Sequence, residues 1–148
     1  MRIPLGHWIF GAPYPYHRSY GANPHPFVEG GIEVLDRAMD WAGELGLRVV
    51  LDLHAAPGCQ NGFDNGGIKD VCEWHTREEY LAHSVEVLGR LAARYGDRGC
   101  LHAIEVLNEP LYLAFEKLGV ISEGDSLSSP GEVASRGTHL GEGAALMV

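Results

Sequence analysis

Apolar positions along the chain follow a helical period in two stretches. One set is Leu35, Met39, Ala42 and Leu45, and the other is Leu81, Val85, Leu88, Ala92 and Tyr95. A spacing of three to four residues places side chains on one face of a helix, so we predict two amphipathic helices. Gly46 follows the first set and Gly96 the second, and we expect each glycine to end its helix. Thr76 and Glu79 predict a capping box before the second helix.

Short, almost uninterrupted apolar runs separate these helices and are typical of buried parallel strands. They are residues 2–5, 47–53 and 101–107. The resulting order of strand, helix, strand, helix, strand predicts a parallel sheet with right-handed crossovers. Residues 11–31 and 55–75 show no period and predict long loops after the first two strands. Long loops on that side of a barrel shape an enzyme's pocket.

The chain changes character after Pro110. Residues 111–121 could hold one short helix, whereas residues 122–148 are rich in Gly, Ser, Glu and Ala without a clear period. We therefore predict an ordered unit over residues 1–110 and an irregular, mostly disordered tail over residues 111–148.

Composition and charge exclude several classes of protein. The apolar fraction of 45% can support a packed core, and the net charge of −9 argues against binding to nucleic acid or to an anionic membrane surface. No run approaches the roughly 18 apolar residues of a membrane span. The start of the chain shows no apolar segment or cleavage site typical of a signal peptide.

Cysteine and histidine spacing leaves two questions open. Cys59 and Cys72 flank one loop and could form a disulfide in an exported protein, although reduced thiols are an equal alternative. His75, Glu79 and His83 could share one helix face and hold a metal ion. A solvated helix face has the same pattern, so we expect no metal and no other cofactor.

Polar side chains occur where the predicted strands meet loops. Arg2 lies in the first strand, His54 follows the second, and Asn108 and Glu109 follow the third. Pro110 has no N–H group, so it ends the third strand and favours an extended conformation at Glu109. A carboxylic acid in this position can serve as a general acid if its surroundings raise its pKa.

Several segments, taken together, resemble glycoside hydrolase family 5, in particular its exo-β-1,3-glucanase branch. In order they are Arg2-Ile3-Pro4, Asp52-Leu53-His54, Ala56-Pro57-Gly58, Gln60-Asn61-Gly62-Phe63-Asp64-Asn65 and Leu107-Asn108-Glu109-Pro110. Many barrel glycosidases share Asn-Glu-Pro, whereas Gln-Asn-Gly-Phe-Asp-Asn after the Asp-Leu-His strand is more specific to the glucanase branch. The resemblance covers residues 1–110 and does not include the tail.

This resemblance implies a (β/α)8 barrel that hydrolyses O-glycosyl bonds of a β-glucan or β-glucoside with retention. It implies that Glu109 is the acid/base, that Asn108 binds the 2-hydroxyl of the cleaved sugar, and that Arg2 supports the nucleophilic carboxylate. His54 would line the pocket of the non-reducing-end glucose.

The resemblance also assigns the pocket entrance. Phe63 would stack on a sugar face, Asp64 would hydrogen-bond hydroxyls beside it, and Trp8 would form part of the pocket wall. An extracellular or cell-surface location is a further implication of the family.

The chain departs from the family in one important respect. The family's nucleophilic glutamate lies on a later strand, and neither Glu116 nor Glu123 has the surrounding pattern. We therefore expect a partial (β/α)8 (TIM) barrel, with strands 2–4 and helices 2–3 of the family fold, that is inactive alone because half of the carboxylate pair is missing. A related β-glucosidase acting on small glycosides and a non-catalytic carbohydrate-binding remnant are the alternatives.

Overall fold

The computed structural model describes residues 1–11, 27–28 and 30–111, together with the backbone of residues 145–147. The elements in chain order are β1 (Arg2–Gly6), α1 (Gly31–Glu44), β2 (Val49–Ala55), α2 (Glu78–Tyr95), β3 (Leu101–Glu105) and β4 (Ala145–Met147). Two short 3-10 turns, Asp64–Gly66 and Trp74–Thr76, lie in the loop between β2 and α2. Neither α-helix is long and apolar enough to cross a membrane.

The strands form one parallel sheet in the order β1-β2-β3-β4. Pro4 pairs with Asp52, and Asp52 pairs with Glu105. The predicted alternation of strands and helices with a parallel sheet is therefore confirmed. The strand bounds differ, because β2 begins at Val49, after the 43% exposed Leu47, and β3 ends at Glu105.

The short strand β4 lies in the segment predicted to be an irregular tail. Its residues Ala145–Met147 pair in parallel with Ala103–Glu105 of β3. That part of the tail is a strand and the prediction was wrong there, because a three-residue pairing with a distant strand leaves little local pattern to detect. The predictions for residues 112–144 and 148 lie outside the described residues.

Helix α1 ends as its sequence predicts. Gly46 has φ 65°, and the N–H of Leu47 donates to the carbonyl of Ala42 at 2.8 Å. This is the pattern of a Schellman cap, in which glycine takes the left-handed conformation after the helix. Leu35, Met39 and Ala42 are buried as expected, but Leu45 sits at the cap and is 72% exposed.

The buried face of α2 differs from the predicted one. Its members are Tyr80, His83, Ser84, Val87, Leu91 and Tyr95. Val85 from the predicted stripe is 68% exposed, and Leu88 and Ala92 are only half-buried. The buried face includes the polar residues His83 and Ser84, so the spacing of apolar residues alone did not identify it.

The predicted capping box at Thr76 is also wrong. The Thr76 hydroxyl donates to the carbonyl of Glu73 at 2.8 Å and closes the short turn before the helix. Arg77 is the N-cap of α2 and forms no side-chain cap hydrogen bond. Thr76 therefore stabilises the preceding turn instead of the helix.

The two sides of the sheet have opposite character. The core between the sheet and the helices contains Val49, Leu51 and Leu53 of β2, with Met39 of α1 and Leu91 of α2. Because side chains alternate along a strand, the residues between these leucines point to the opposite side. That side carries polar groups, and it is where the candidate site lies.

Candidate functional site

Arg2 is the centre of a polar cluster on the side of the sheet away from the helices. Its Nε and Nη2 donate to Oε2 and Oε1 of Glu105, each at 2.7 Å. Nη2 also donates to Oδ1 of Asn108 at 2.7 Å and lies 3.0 Å from Oδ2 of Asp52. Arg2 opens β1 and does not lie at its carboxyl end, so only its long side chain brings it to the other residues.

Neighbouring carboxyl groups stabilise the positive charge of this guanidinium. The hydrogen bonds that Arg2 donates to Glu105 raise the pKa of Arg2 above its ordinary value, and the negative charges of Asp52, Glu105 and Glu109 act in the same direction. Arg2 is thus a permanent cation beside three carboxyl groups.

Asp52 is fully buried and joins Arg2 to His54. Its Oδ2 lies 2.7 Å from Nδ1 of His54, while its Oδ1 has no hydrogen-bond partner among the described residues. Burial raises the pKa of Asp52, whereas the His54 hydrogen bond and the Arg2 charge lower it less than burial raises it. The His54 side chain is 24% exposed, so part of it remains accessible to solvent.

Asn108 and Glu109 follow β3 at the edge of this cluster. The N–H of Asn108 donates to the carbonyl of Leu53 at 3.0 Å, and Asn108 is only 4% exposed. Glu109 is exposed, and its Oε2 lies 3.5 Å from Nδ2 of Asn108 and 3.4 Å from Nδ2 of Asn65. The carboxyl group therefore faces two amide donors and open solvent.

The backbone at Glu109 differs from the predicted extended conformation. Its φ is 45°, in the left-handed region that non-glycine residues rarely adopt. The carbonyl of Glu109 accepts a hydrogen bond from Nδ2 of Asn61 at 3.1 Å. This tertiary contact was not visible in the local sequence, where Pro110 favours an extended residue before it.

The entrance residues lie in the loop after β2. Phe63 is 50% exposed, and Asp64 is also exposed. The next residue, Asn65, contacts Glu109. Neither side chain forms part of the Arg2 cluster, but both belong to the loop that contacts Glu109. Their exposure leaves them accessible to a ligand.

Trp8 lies near the carboxyl end of β1. Its ring stacks on Phe27 with centroids 3.8 Å apart, and His7 contacts it edge-on at 5.1 Å. A Cβ atom on Gly6 would lie 2.5 Å from the indole, so only glycine fits beneath the ring. The described contacts of Trp8 are aromatic and do not include the Arg2 cluster.

Three residues of the site had no functional assignment from the sequence. Glu105 pairs with Arg2, and Gln60 and Asn61 hold the backbone around Asn108 and Glu109. A charged residue inside the apolar run 101–107 was a usable signal for Glu105, because a buried charge needs a partner. Gln60 and Asn61 gave no such signal, since polar residues are ordinary in loops.

The metal and disulfide questions have structural answers for the described residues. His75 lies in the turn Trp74–Thr76, outside α2, so it does not share a helix face with Glu79 and His83. No group of three His, Cys, Asp or Glu residues in the described part of the chain is placed to hold a metal ion. The thiols of Cys59 and Cys72 are reduced.

Comparison with known proteins extends these observations. The chain is similar to glucan 1,3-β-glucosidases. It is 40% identical over 123 residues to the glucan 1,3-beta-glucosidase of Pichia angusta, covering 80% of this chain and 26% of that protein. It is 42% identical over 111 residues to a probable glucan 1,3-beta-glucosidase A of Aspergillus terreus, covering 74% and 24%. No family model matches the chain.

The chain spans about a quarter of the length of these curated relatives. Among solved structures, the rutinosidase of Aspergillus niger matches with a TM-score of 0.61 and 21% identity, over 74% of this chain and 29% of that one. At this identity the likeness concerns the fold alone. The described sheet and helices therefore share the fold of part of that structure.

Proposed function

We propose that this chain forms the acid/base side of the active site of a retaining β-glucan hydrolase of the glucan exo-1,3-β-glucosidase type. The observation that carries the proposal is a series of contacts that runs from Arg2 through the amide of Asn108 to the carboxyl group of Glu109. Arg2 donates to the amide oxygen of Asn108, and the amide nitrogen of Asn108 faces the carboxyl group of Glu109.

The bond from Arg2 fixes the orientation of the Asn108 amide. A guanidinium has donors and no acceptor, so only the oxygen of Asn108 can face it. The NH2 group must then point towards Glu109 and the solvent beyond. In this position it can donate to a sugar hydroxyl next to the bond that is broken.

Glu109 is suited to general acid/base work because its carboxyl group is exposed at the rim of the sheet. In its protonated form it would donate a proton to the leaving glycosidic oxygen. As a carboxylate it would then take a proton from the attacking water. The amides of Asn65 and Asn108 would donate to Oε2 of Glu109 and fix its position, which leaves Oε1 free for the substrate.

The remaining predicted residues would form the sugar subsite. His54, held by Asp52, would donate to or accept from a hydroxyl of the terminal glucose. Phe63 would stack on a sugar ring, Asp64 would accept from its hydroxyls, and Trp8 would form part of the wall.

The fold that best accommodates this site is a partial (β/α)8 barrel. The helices on one side of the parallel sheet would belong to the outer ring of such a barrel, and the Arg2 cluster on the other side would face its interior. The inner surface would then be the floor of the saccharide pocket.

We further propose that the 148-residue chain alone does not turn over substrate. Retention requires a second carboxyl group about 5–5.5 Å from the first. In the described residues the carboxyl groups of Glu105 and Asp52 beside Arg2 are already bound, since Glu105 pairs with Nε and Nη2 of Arg2 and Asp52 pairs with Arg2 and His54. The same observation favours a second candidate, a carbohydrate-binding remnant without turnover.

A chimera tests the catalytic part of this proposal. The aligned segment of the Pichia angusta relative is replaced by the matching segment of this chain, and laminarin hydrolysis is measured. We expect an active chimera in which Glu109→Gln lowers kcat/KM by about 10²-fold or more, whereas Glu44→Gln at the exposed end of α1 has no effect. A folded chimera that is inactive, or that tolerates Glu109→Gln, contradicts the proposal.

The isolated chain separates the two candidates. We expect weak binding of laminaritriose without any release of glucose, and hydrolysis above the blank that is lost in Glu109→Gln would contradict the proposed inactivity. Binding by the isolated chain combined with an inactive chimera would favour the remnant.

A further inference from the structure

Gln60 is a buried amide that joins the ends of two strands. Its Nε2 donates to the carbonyl of His54 at 2.7 Å and to the carbonyl of Asn108 at 2.9 Å. Its Oε1 accepts from the N–H of Ala56 at 3.1 Å, and the residue is 0% exposed. One side chain thus satisfies backbone groups from the end of β2 and from the segment after β3.

Asn61 extends this connection by one residue. Its Nδ2 donates to the carbonyl of Glu109 at 3.1 Å, and its Oδ1 accepts from the N–H of Phe63 at 3.0 Å. The backbone carbonyl of Gln60 accepts from the N–H of Leu111 at 3.3 Å. The backbone on both sides of Glu109 is therefore bonded to the same two neighbouring residues.

These bonds act where the chain is in a rarely populated conformation. Glu109 has φ 45°, a value that non-glycine residues rarely adopt. Pro110 also favours an extended conformation at the residue before it, so local preference opposes this backbone. A residue keeps such a conformation only when its surroundings determine it. The side chains of Gln60 and Asn61 donate to the carbonyls of Asn108 and Glu109 at this point.

The loop that carries both residues is itself closed. The N–H groups of Glu73 and Trp74 donate to the carbonyls of Gly58 and Cys59 at 2.7 and 3.2 Å, and the N–H of Asp70 donates to the carbonyl of Gly62 at 2.9 Å. Gln60 and Asn61 therefore project from a loop that is closed by its own backbone bonds, and they can hold a strained neighbour.

We infer that Gln60 and Asn61 are positioning residues that set the left-handed backbone of Glu109 and thereby direct its carboxyl group towards the saccharide. The role of that carboxyl group rests on the proposed function, but the conformational effect does not. Neither residue touches the carboxyl group, so both act through the backbone.

The test uses the isotope-labelled 148-residue chain and three variants. Gln60→Met keeps the length of the side chain and removes its hydrogen bonds, and Asn61→Ala removes the bond to Glu109. Ser84→Ala is the matched control, because Ser84 is also buried and hydrogen-bonded but holds Trp74 and Tyr80. The readouts are the φ-sensitive backbone couplings and the Cα chemical shift of Glu109, with the melting temperature recorded for each variant.

We expect a positive φ at Glu109 in the unaltered chain and in Ser84→Ala, and averaging towards negative φ in Gln60→Met and Asn61→Ala. A purely structural role would lower the melting temperature and leave φ of the folded molecules unchanged. A positive φ retained in both folded variants overturns the inference.

A measurement on the unaltered chain keeps the inference testable if the variants do not fold. The side-chain amide protons of Gln60 should exchange with deuterium at least about tenfold more slowly than those of the exposed Asn65. Equal exchange rates, with the amides of β2 still protected, overturn it.

Saccharide binding separates this inference from the proposed function. If laminaritriose does not bind the unaltered chain but φ changes in the variants, the function fails and the positioning stands. If laminaritriose binds equally well to the unaltered chain and to both variants and φ is unchanged, only the positioning fails.

Discussion

Arg2 and Glu105 form a bidentate pair across the sheet, with two N–O distances of 2.7 Å that join β1 to β3 past the intervening β2. The pair spans the width of three strands without a backbone contact between the outer two. Because Asp52 lies beside it on the middle strand, the guanidinium of β1 is the common partner of carboxyl groups from β2 and β3. Packing of the polar side of the sheet therefore depends on one residue near the chain start.

Removing this guanidinium should destabilise the fold. Arg2→Met keeps the aliphatic stem but leaves the buried carboxyl group of Asp52 without its cation and Asn108 Oδ1 without its donor. Because Arg2 is 43% exposed, we expect a moderate loss of about 1–3 kcal/mol in the free energy of unfolding by urea. Arg37→Met, at an exposed position of α1, should change it by less than about 0.5 kcal/mol. Equal effects of the two substitutions would show that the cluster does not support the fold.

The buried carboxyl group of Asp52 should give stability a distinct pH dependence. Its pKa is raised by burial, so the folded state binds the proton more tightly than the unfolded state. This contribution is fully present below the unfolded pKa of about 3.9 and is lost as pH rises through the folded pKa. The stability of Asp52→Asn relative to the unaltered chain should therefore increase between pH 4 and pH 7. Urea unfolding at several pH values measures this difference, and a decrease with pH would contradict it.

Asp36 should show the opposite behaviour. Its pKa is lowered to about 2, first by the hydrogen bond from Arg94 and then by that from Tyr95, which join α1 to α2. Its contribution is present above the unfolded pKa of about 3.9 and is lost as pH falls through about 2. Asp36→Asn should destabilise the chain at pH 7, and the difference should vanish towards pH 2. Thermal melts across this range check the sign, and a difference that grows on acidification would exclude this pairing.

Phe63 should affect binding without affecting the fold. Half of its side chain is exposed, so Phe63→Ala should change the free energy of unfolding by less than about 0.5 kcal/mol. Loss of a stacking platform should weaken laminaritriose binding by about 2- to 10-fold, which corresponds to about 0.5–1.5 kcal/mol. Val85→Ala, on the exposed face of α2, is the matched control and should leave binding unchanged. Unaltered affinity in Phe63→Ala would remove it from the proposed subsite.

Local pattern was sufficient for the elements that depend on local interactions. The cap at Gly46 and the apolar runs of β2 and β3 follow from backbone preference and burial of neighbouring side chains. The parallel order places Asp52 beside Glu105, whereas Arg2, at the start of β1, reaches Asp52 and Asn108 only through its long side chain.

Features that depend on distant contacts were not predictable in the same way. The inner face of α2 includes His83 and Ser84, whose burial is compensated by partners elsewhere, such as the carbonyl of His7 for His83. The backbone of Glu109 is determined by Asn61 of another loop. Each of these features required knowledge of which segments meet.

Pro4 has a consequence for how this sheet can grow. The carbonyl of Met1 and the N–H of His7 bond to β2, so the backbone of the odd-numbered residues of β1 faces inward and that of Pro4 faces the open side. Proline has no N–H, so the edge of β1 that faces away from β2 lacks its central donor; no described strand pairs with that edge. A foreign strand approaching along this edge would find an interrupted row of hydrogen-bonding groups, which protects the sheet against fibril-like association.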